Sequence, residues 1–355
     1  YNQAEDVIFI KTEKKIKHHK LNTLIIFLLT ILVLWLLLRH DYQNIINSIL
    51  KANIIWLFIT LIIYLLYFIF DQLCFYNILK TYKKDISFKY VLYLGIITKF
   101  FNGITPLSTG GQPLQVYEMH KKGISVSNGT NIVIQNYIVF QIVFMLYSCI
   151  AIILNNTLHL FAKSPILANL TIIGFVANSI ILILLLLISF SKKFNKTIIV
   201  NIINLLAKLK IVKNKEKQIK KWTKTCDEYY QNGQELSKHK ATFLKCCLYQ
   251  IISLFLYYLL PLFIAIAIGC ANNLTIISTI AAGAYIYIMS CFIPIPGATG
   301  GTEYGFHGLF ANFIKEPKLS ALLILWRFIT YYAPTIIGAI IFNIGSNTKK
   351  ESDSV

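Results

Sequence analysis

Two stretches of this sequence carry residue types that could do chemistry, and they are near copies of each other. Pro106-Leu107-Ser108-Thr109-Gly110-Gly111 and Pro296-Gly297-Ala298-Thr299-Gly300-Gly301 both read Pro-x-x-Thr-Gly-Gly. Proline removes a backbone donor and glycine raises the entropic cost of helix, so each stretch breaks the apolar segment before it. A helix that restarts after Gly111 or Gly301 would present free N–H groups, which suit an anionic phosphate. Thr109, Gln112, Thr299 and Thr302 could add neutral hydrogen bonds at the same point. The bland reading is that Pro and Gly merely end helices in ordinary loops. It accounts for one such stretch more readily than for a matched pair.

Ionisable residues in apolar surroundings are few. Arg327 lies in the apolar run 319–342, Glu303 closely follows the second Thr-Gly-Gly, Glu118 follows the first, and Asp71 ends the run 54–70. A charge inside a span costs about 2.5–3.5 kcal/mol on insertion scales, so a partner is expected. For Arg327 the expected partner is Glu303, with a substrate phosphate as a competing ligand. The alternative is a purely structural ion pair that pins the last span. Asp71 reads as an interfacial residue. Tyr331 and Tyr332 follow Arg327 by about one helical turn. The candidate binding set is therefore Pro106, Thr109, Gly110, Gly111, Gln112, Glu118, Pro296, Thr299, Gly300, Gly301, Thr302, Glu303, Arg327 and Tyr331.

No residue is assigned a catalytic role. The seven cysteines have no CxxC spacing and read as small core hydrophobes. The histidines form no HExxH or similar pattern, so neither a metal nor a cofactor is expected. Walker A, GxSxG, kinase and Rossmann signatures are also missing.

The elements that must position these residues are membrane helices. The 355 residues are 56% hydrophobic and 14% charged, where a soluble domain carries about a quarter charged. Apolar runs occupy 21–38, 54–70, 88–101, 132–154, 170–190, 241–268, 274–293 and 319–342. Six reach the length of a span, while 88–101 and 274–293 run into the two breaks. The chain thus divides into two halves, 21–154 and 170–343, each with three spans and one broken re-entrant hairpin (88–123 and 274–316). An odd number of spans per half inverts the second half relative to the first.

The net charge of +19 agrees with that division. Lysines cluster in 11–20, 80–84, 121–122, 192–240 and 349–350, between or beyond the apolar runs. With the basic tail 1–20 in the cytoplasm, every cluster falls inside, leaving 39–53 and 155–169 outside and both 191–240 and the tail 344–355 inside. That distribution explains the charge without nucleic acid, and the chain has only two arginines, Arg39 and Arg327, to read bases. The expected fold is an all-α polytopic membrane protein of two inverted repeats.

Gly110-Gly111-Gln112-Pro113 after Thr105-Pro106, Pro294-x-Pro296-Gly297-x-x-Gly300-Gly301-x-Glu303, and Leu325-Trp326-Arg327-Phe328 with Tyr331-Tyr332-x-Pro334 occur in order at the span ends. Together they resemble the transmembrane, flippase-like domain of the lysylphosphatidylglycerol synthase/flippase family, also called multiple peptide resistance factor. The resemblance covers 21–342. It implies a bacterial plasma membrane protein that moves a phospholipid or glycolipid, such as aminoacylated phosphatidylglycerol, between leaflets. Such movement changes surface charge and protects against cationic peptides. Full-length members add a cytosolic domain that transfers lysine from lysyl-tRNA to phosphatidylglycerol. The sequence ends soon after 342, so the expectation is a stand-alone flippase-like module without that activity. Two other readings stay open: a lipid-modifying transferase using Glu303 or Glu118 as general base, and a membrane subunit that recruits a separate synthase through 191–240. The implied partners are membrane lipids.

Overall fold

The computed structural model describes residues 42–191 and 239–352, with scattered positions between 194 and 219. The expected first span 21–38, the basic tail 1–20 and most of the loop 191–240 lie outside the described residues. Everything regular among the described residues is helical.

Helix α1 (Tyr42–Leu50) is followed by α2 (Ile54–Tyr82), whose first turn is capped by the Asn53 side chain accepting from the Ile55 amide at 2.9 Å. Ser87 caps α3 (Phe88–Gly103), which ends at a short 3-10 turn, Pro106–Ser108. Helix α4 (Gly111–Lys121) starts beyond that turn. Ser125 then caps α5 (Val126–Leu158), which closes the first series. The second series opens with α6 (Pro165–Phe190) and continues with α7 (Lys240–Ile268), α8 (Ile276–Ser290), a 3-10 turn (Pro296–Ala298) and α9 (Gly301–Phe310). Its final rod is α10 (Lys318–Arg327), a π-helical segment (Phe328–Tyr332) and α11 (Ala333–Ser352).

Among the described residues five helices are long and apolar enough to cross a membrane: Ile54–Tyr82, Val126–Leu158, Pro165–Leu187, Lys240–Ile268 and Lys318–Ile344. The chain is an all-α, multi-pass membrane protein. The hairpin arms are shorter. At 1.5 Å per residue the 16 residues of α3 reach about 24 Å and the 10 of α9 about 15 Å, less than the ~30 Å of hydrocarbon.

Packing follows a pattern that survives exchange of the two series. The 29-residue helices α2 and α7 pack on each other, and the two 3-10 turns touch. Helix α3 packs on α11, and its counterpart α8 packs on α5. Within each hairpin the two arms pack together, α3 on α4 and α8 on α9.

Three boundaries differ from the sequence reading. Helix α2 does not stop near 70 but continues to Tyr82, which puts Asp71 well inside it. Nothing between 71 and 82 breaks a helix, and Cys74, Phe75, Ile78 and Leu79 form a buried stripe at helical spacing. The single charge, not a helix breaker, ended the apolar run. The segment 39–53, expected as a plain connection, contains α1, which buries Ile45 and packs on α10. The loop expected at 155–169 narrows to 159–164, because α5 runs on to Leu158 and α6 starts at Pro165.

Candidate functional site

The Pro-x-x-Thr unit has a local physical logic that repeats in both hairpins. Leu107 and Ser108 have φ of 54° and 53°, and Gly297 and Ala298 have φ of 63° and 51°, so the same two positions turn left-handed in each copy. Thr109 Oγ1 donates to the Pro106 carbonyl at 3.0 Å, and Thr299 Oγ1 donates to the Pro296 carbonyl at 2.9 Å. Each threonine thus holds its own turn closed.

The first amides of the following helices are also spoken for. Thr105 Oγ1 accepts from the Gly110 amide and Asn102 Oδ1 from the Gly111 amide, both at 2.8 Å. In the second copy, Glu303 Oε2 accepts from the Gly300 amide at 2.7 Å. The expectation of free N–H groups at these helix starts is therefore corrected for Gly110, Gly111 and Gly300. The hairpins satisfy them internally, and for the buried Gly111 an unpaired amide would be costly. Glycine is required at 111 for space. A Cβ there would come within 2.5 Å of both Asn102 Oδ1 and Thr98 Cγ2.

Between the two series lies a cavity of about 890 Å³, the size of a small-molecule site, lined by α2, α3, α4 and α5 on one side and by α7, α8, the second turn and the final rod on the other. Of the candidate residues, Thr109, Gln112, Thr302, Arg327 and Tyr331 line it. Pro106, Gly110, Gly111, Pro296, Thr299, Gly300, Gly301 and Glu303 do not, and shape the turns behind it. Glu118 also stays off the lining, and its carboxylate pairs with Lys121 at 2.6 Å on the same helix face.

Arg327 is 6% exposed and Glu303 5% exposed. Arg327 Nε donates to Glu303 Oε1 at 2.7 Å and Nη2 to the Gly297 carbonyl at 3.2 Å. The ion pair expected between them is present. The guanidinium also lies 5.6 Å and 5.2 Å from the ring centroids of Trp326 and Tyr331, within cation–π range. Both Glu303 oxygens are engaged, one by Arg327 and one by Gly300. Tyr331 donates its hydroxyl to the Gly103 carbonyl at 3.0 Å, tying the final rod to the first hairpin.

Lys99 and Asp71 line the same cavity. The sequence reading passed over Lys99, although a lysine within the apolar run 88–101 is the signal that the cost of intramembrane charge supplies. Among the described residues no cluster of three or more His, Cys, Asp or Glu could hold a metal.

The comparisons with known proteins agree with this architecture. The chain is 26% identical over 263 residues to a "UPF0104 membrane protein" of Archaeoglobus fulgidus, covering 73% of this chain and 76% of that one. It is 23% identical over 343 residues to "Uncharacterized protein MG306" of Mycoplasma genitalium, covering 85% and 81%. The family model of the lysylphosphatidylglycerol synthase TM region matches residues 23–338, and the chain belongs to that family of membrane proteins related to lipid handling.

Proposed function

We propose that this protein moves a phospholipid or glycolipid between the leaflets of a bacterial plasma membrane. The observation that carries the reading is the contact between the two Pro-x-x-Thr turns, beside an 890 Å³ cavity lined by both series of helices. Irregular backbone at membrane depth is tolerated where protein buries it or where it lines a water-filled space. A headgroup would occupy that space while the acyl tails stay in lipid, with Arg327 and Tyr331 at its edge.

The exchange pattern of the packing supports two inverted repeats related by an axis in the membrane plane. Rocking one against the other would expose the cavity to each leaflet in turn. Both termini would then be cytoplasmic. Moving an aminoacylated lipid outward would lower the negative charge of the outer surface and weaken attraction of cationic peptides.

The geometry lends less support to a lipid-modifying transferase. A general base must reach its proton donor, and Glu303 has both oxygens occupied while Glu118 stays off the cavity. A recruiting role for 191–240 rests on residues mostly outside those described. Purified protein in liposomes, assayed for leaflet exchange of labelled anionic, aminoacylated and neutral lipids, tests the proposal. Exchange rates equal to protein-free liposomes for every lipid would refute it.

A further inference from the structure

The cavity carries an acid and a base that belong to neither hairpin turn. Lys99, on α3, donates to the Tyr67 hydroxyl at 2.7 Å, and its ammonium lies 5.0 Å from the centroid of that ring. No carboxylate among the described residues forms an ion pair with it. Asp71 lies one helical turn beyond Tyr67 on α2 and so shares its face. The carboxylate accepts from Gln72 Nε2 at 2.9 Å, and no cation among the described residues pairs with it. Gln72 is only 5% exposed, and Gly95 makes room for it: a Cβ at 95 would meet the Gln72 amide. A base and an acid are thus presented to one space, with a phenol bound to the base.

Of the other ionisable groups on the lining, Arg327 is neutralised by Glu303, and the His120 ring has Nδ1 3.3 Å from the Ile124 carbonyl. Lys99 and Asp71 are thus a positive and a negative centre on one cavity wall, each half-buried and without the ion-pair partner among the described residues that a charge within a span calls for.

We infer that Lys99 and Asp71 form a dipolar headgroup site, taking a phosphate on Lys99 and a single ammonium on Asp71. This rests on the lipid-translocation reading and narrows its substrate class to net-neutral zwitterions. An anionic phosphodiester leaves Asp71 facing the ligand without a cation. A headgroup with two ammonium groups leaves one of them without a counter-charge.

Binding to the purified full chain, measured by calorimetry, tests the assignment. The probes are short-chain phosphatidylethanolamine, phosphatidylglycerol, a lysine ester of phosphatidylglycerol, and glycerophosphoethanolamine without acyl chains. The wild type should bind phosphatidylethanolamine about tenfold or more tighter than either charged lipid, given the coupling of close charge pairs. Asp71→Asn should bind phosphatidylethanolamine and phosphatidylglycerol equally, and Lys99→Met should weaken both. A wild type that prefers either charged lipid, or an Asp71→Asn variant that keeps the preference, overturns the site. If neither variant folds, the wild-type order alone decides. Glycerophosphoethanolamine bound as tightly as the lipid overturns the lipid source. Leaflet exchange of the same lipids separates the two claims. Exchange without this selectivity refutes the dipolar site alone, and selective binding without exchange refutes translocation alone.

Discussion

Removing the Glu303 carboxylate is the most direct perturbation of the site. Two limits bound the cost. A neutral hydrogen bond between membrane helices averages about 0.6 kcal/mol, whereas removing one partner of a buried ion pair costs about 3–5 kcal/mol. The 2.7 Å contact and exposures of 5% and 6% put this pair at the second limit. Glu303→Ala also deprives the Gly300 amide of its acceptor, a further loss of about 1–3 kcal/mol. Arg327→Met removes the other partner at comparable cost, but the double variant leaves no buried charge. A double-mutant cycle by reversible unfolding in detergent should therefore show coupling, with the double variant about 2 kcal/mol or more better than additive. Additive losses would mean that the two side chains do not sense each other, and would refute the reasoning.

Four further outcomes follow. Gly111→Val and Gly301→Val should cut leaflet exchange more than membrane insertion, since insertion depends on the apolar spans; equal loss of both would contradict this. Introduced thiols at 159–164 should react with an impermeant label from outside while those in 191–240 do not, and the opposite pattern would invert the topology. Ala at 297, where φ is 63° and Tyr331 packs against the backbone, should destabilise by about 1 kcal/mol or more in the same unfolding assay. In the turn between α9 and α10, burial pushes the Glu316 carboxyl up, but hydrogen bonds from His307 and Ser320 outweigh it and hold the group below its ordinary 4.5. Its stabilising contribution is full above pH 4.5 and is lost as the pH falls through the lower folded value. A pH titration of stability should show this in the wild type and less of it in His307→Ala.

The membrane class, the five spans that fall among the described residues and the two breaks were legible because hydropathy and Pro/Gly composition report on them directly. The Arg327–Glu303 pair was legible because an arginine in a span needs a counter-charge. The roles of the threonines and glycines were not. Thr109 and Thr299 looked like ligand donors, and only the turn geometry shows their hydroxyls committed to the proline carbonyls. The end of α2 was set too early because the apolar run was ended at the charge of Asp71, while the stripe from Cys74 to Leu79 kept the helix going. Whether a side chain faces cavity, lipid or a neighbouring helix depends on the rotation of the helix. For Lys99 that rotation is set by partners distant in sequence, such as Tyr67.

The π-helical segment Phe328–Tyr332 makes the last rod sensitive to residue count. A π turn holds one residue more than an α turn, so it shifts the phase of everything beyond it by about 100°. Both ends of this rod have fixed bearings. Arg327 is locked to Glu303 on one side, and on the other Gly338 fits so closely to α3 that a Cβ would lie 2.6 Å from the Ile96 carbonyl. A regular α-helix cannot honour both bearings. Deleting one residue from 328–332 would leave the composition and hydropathy of the span almost unchanged, yet it would turn either the arginine or the close-packed seam away from its partner.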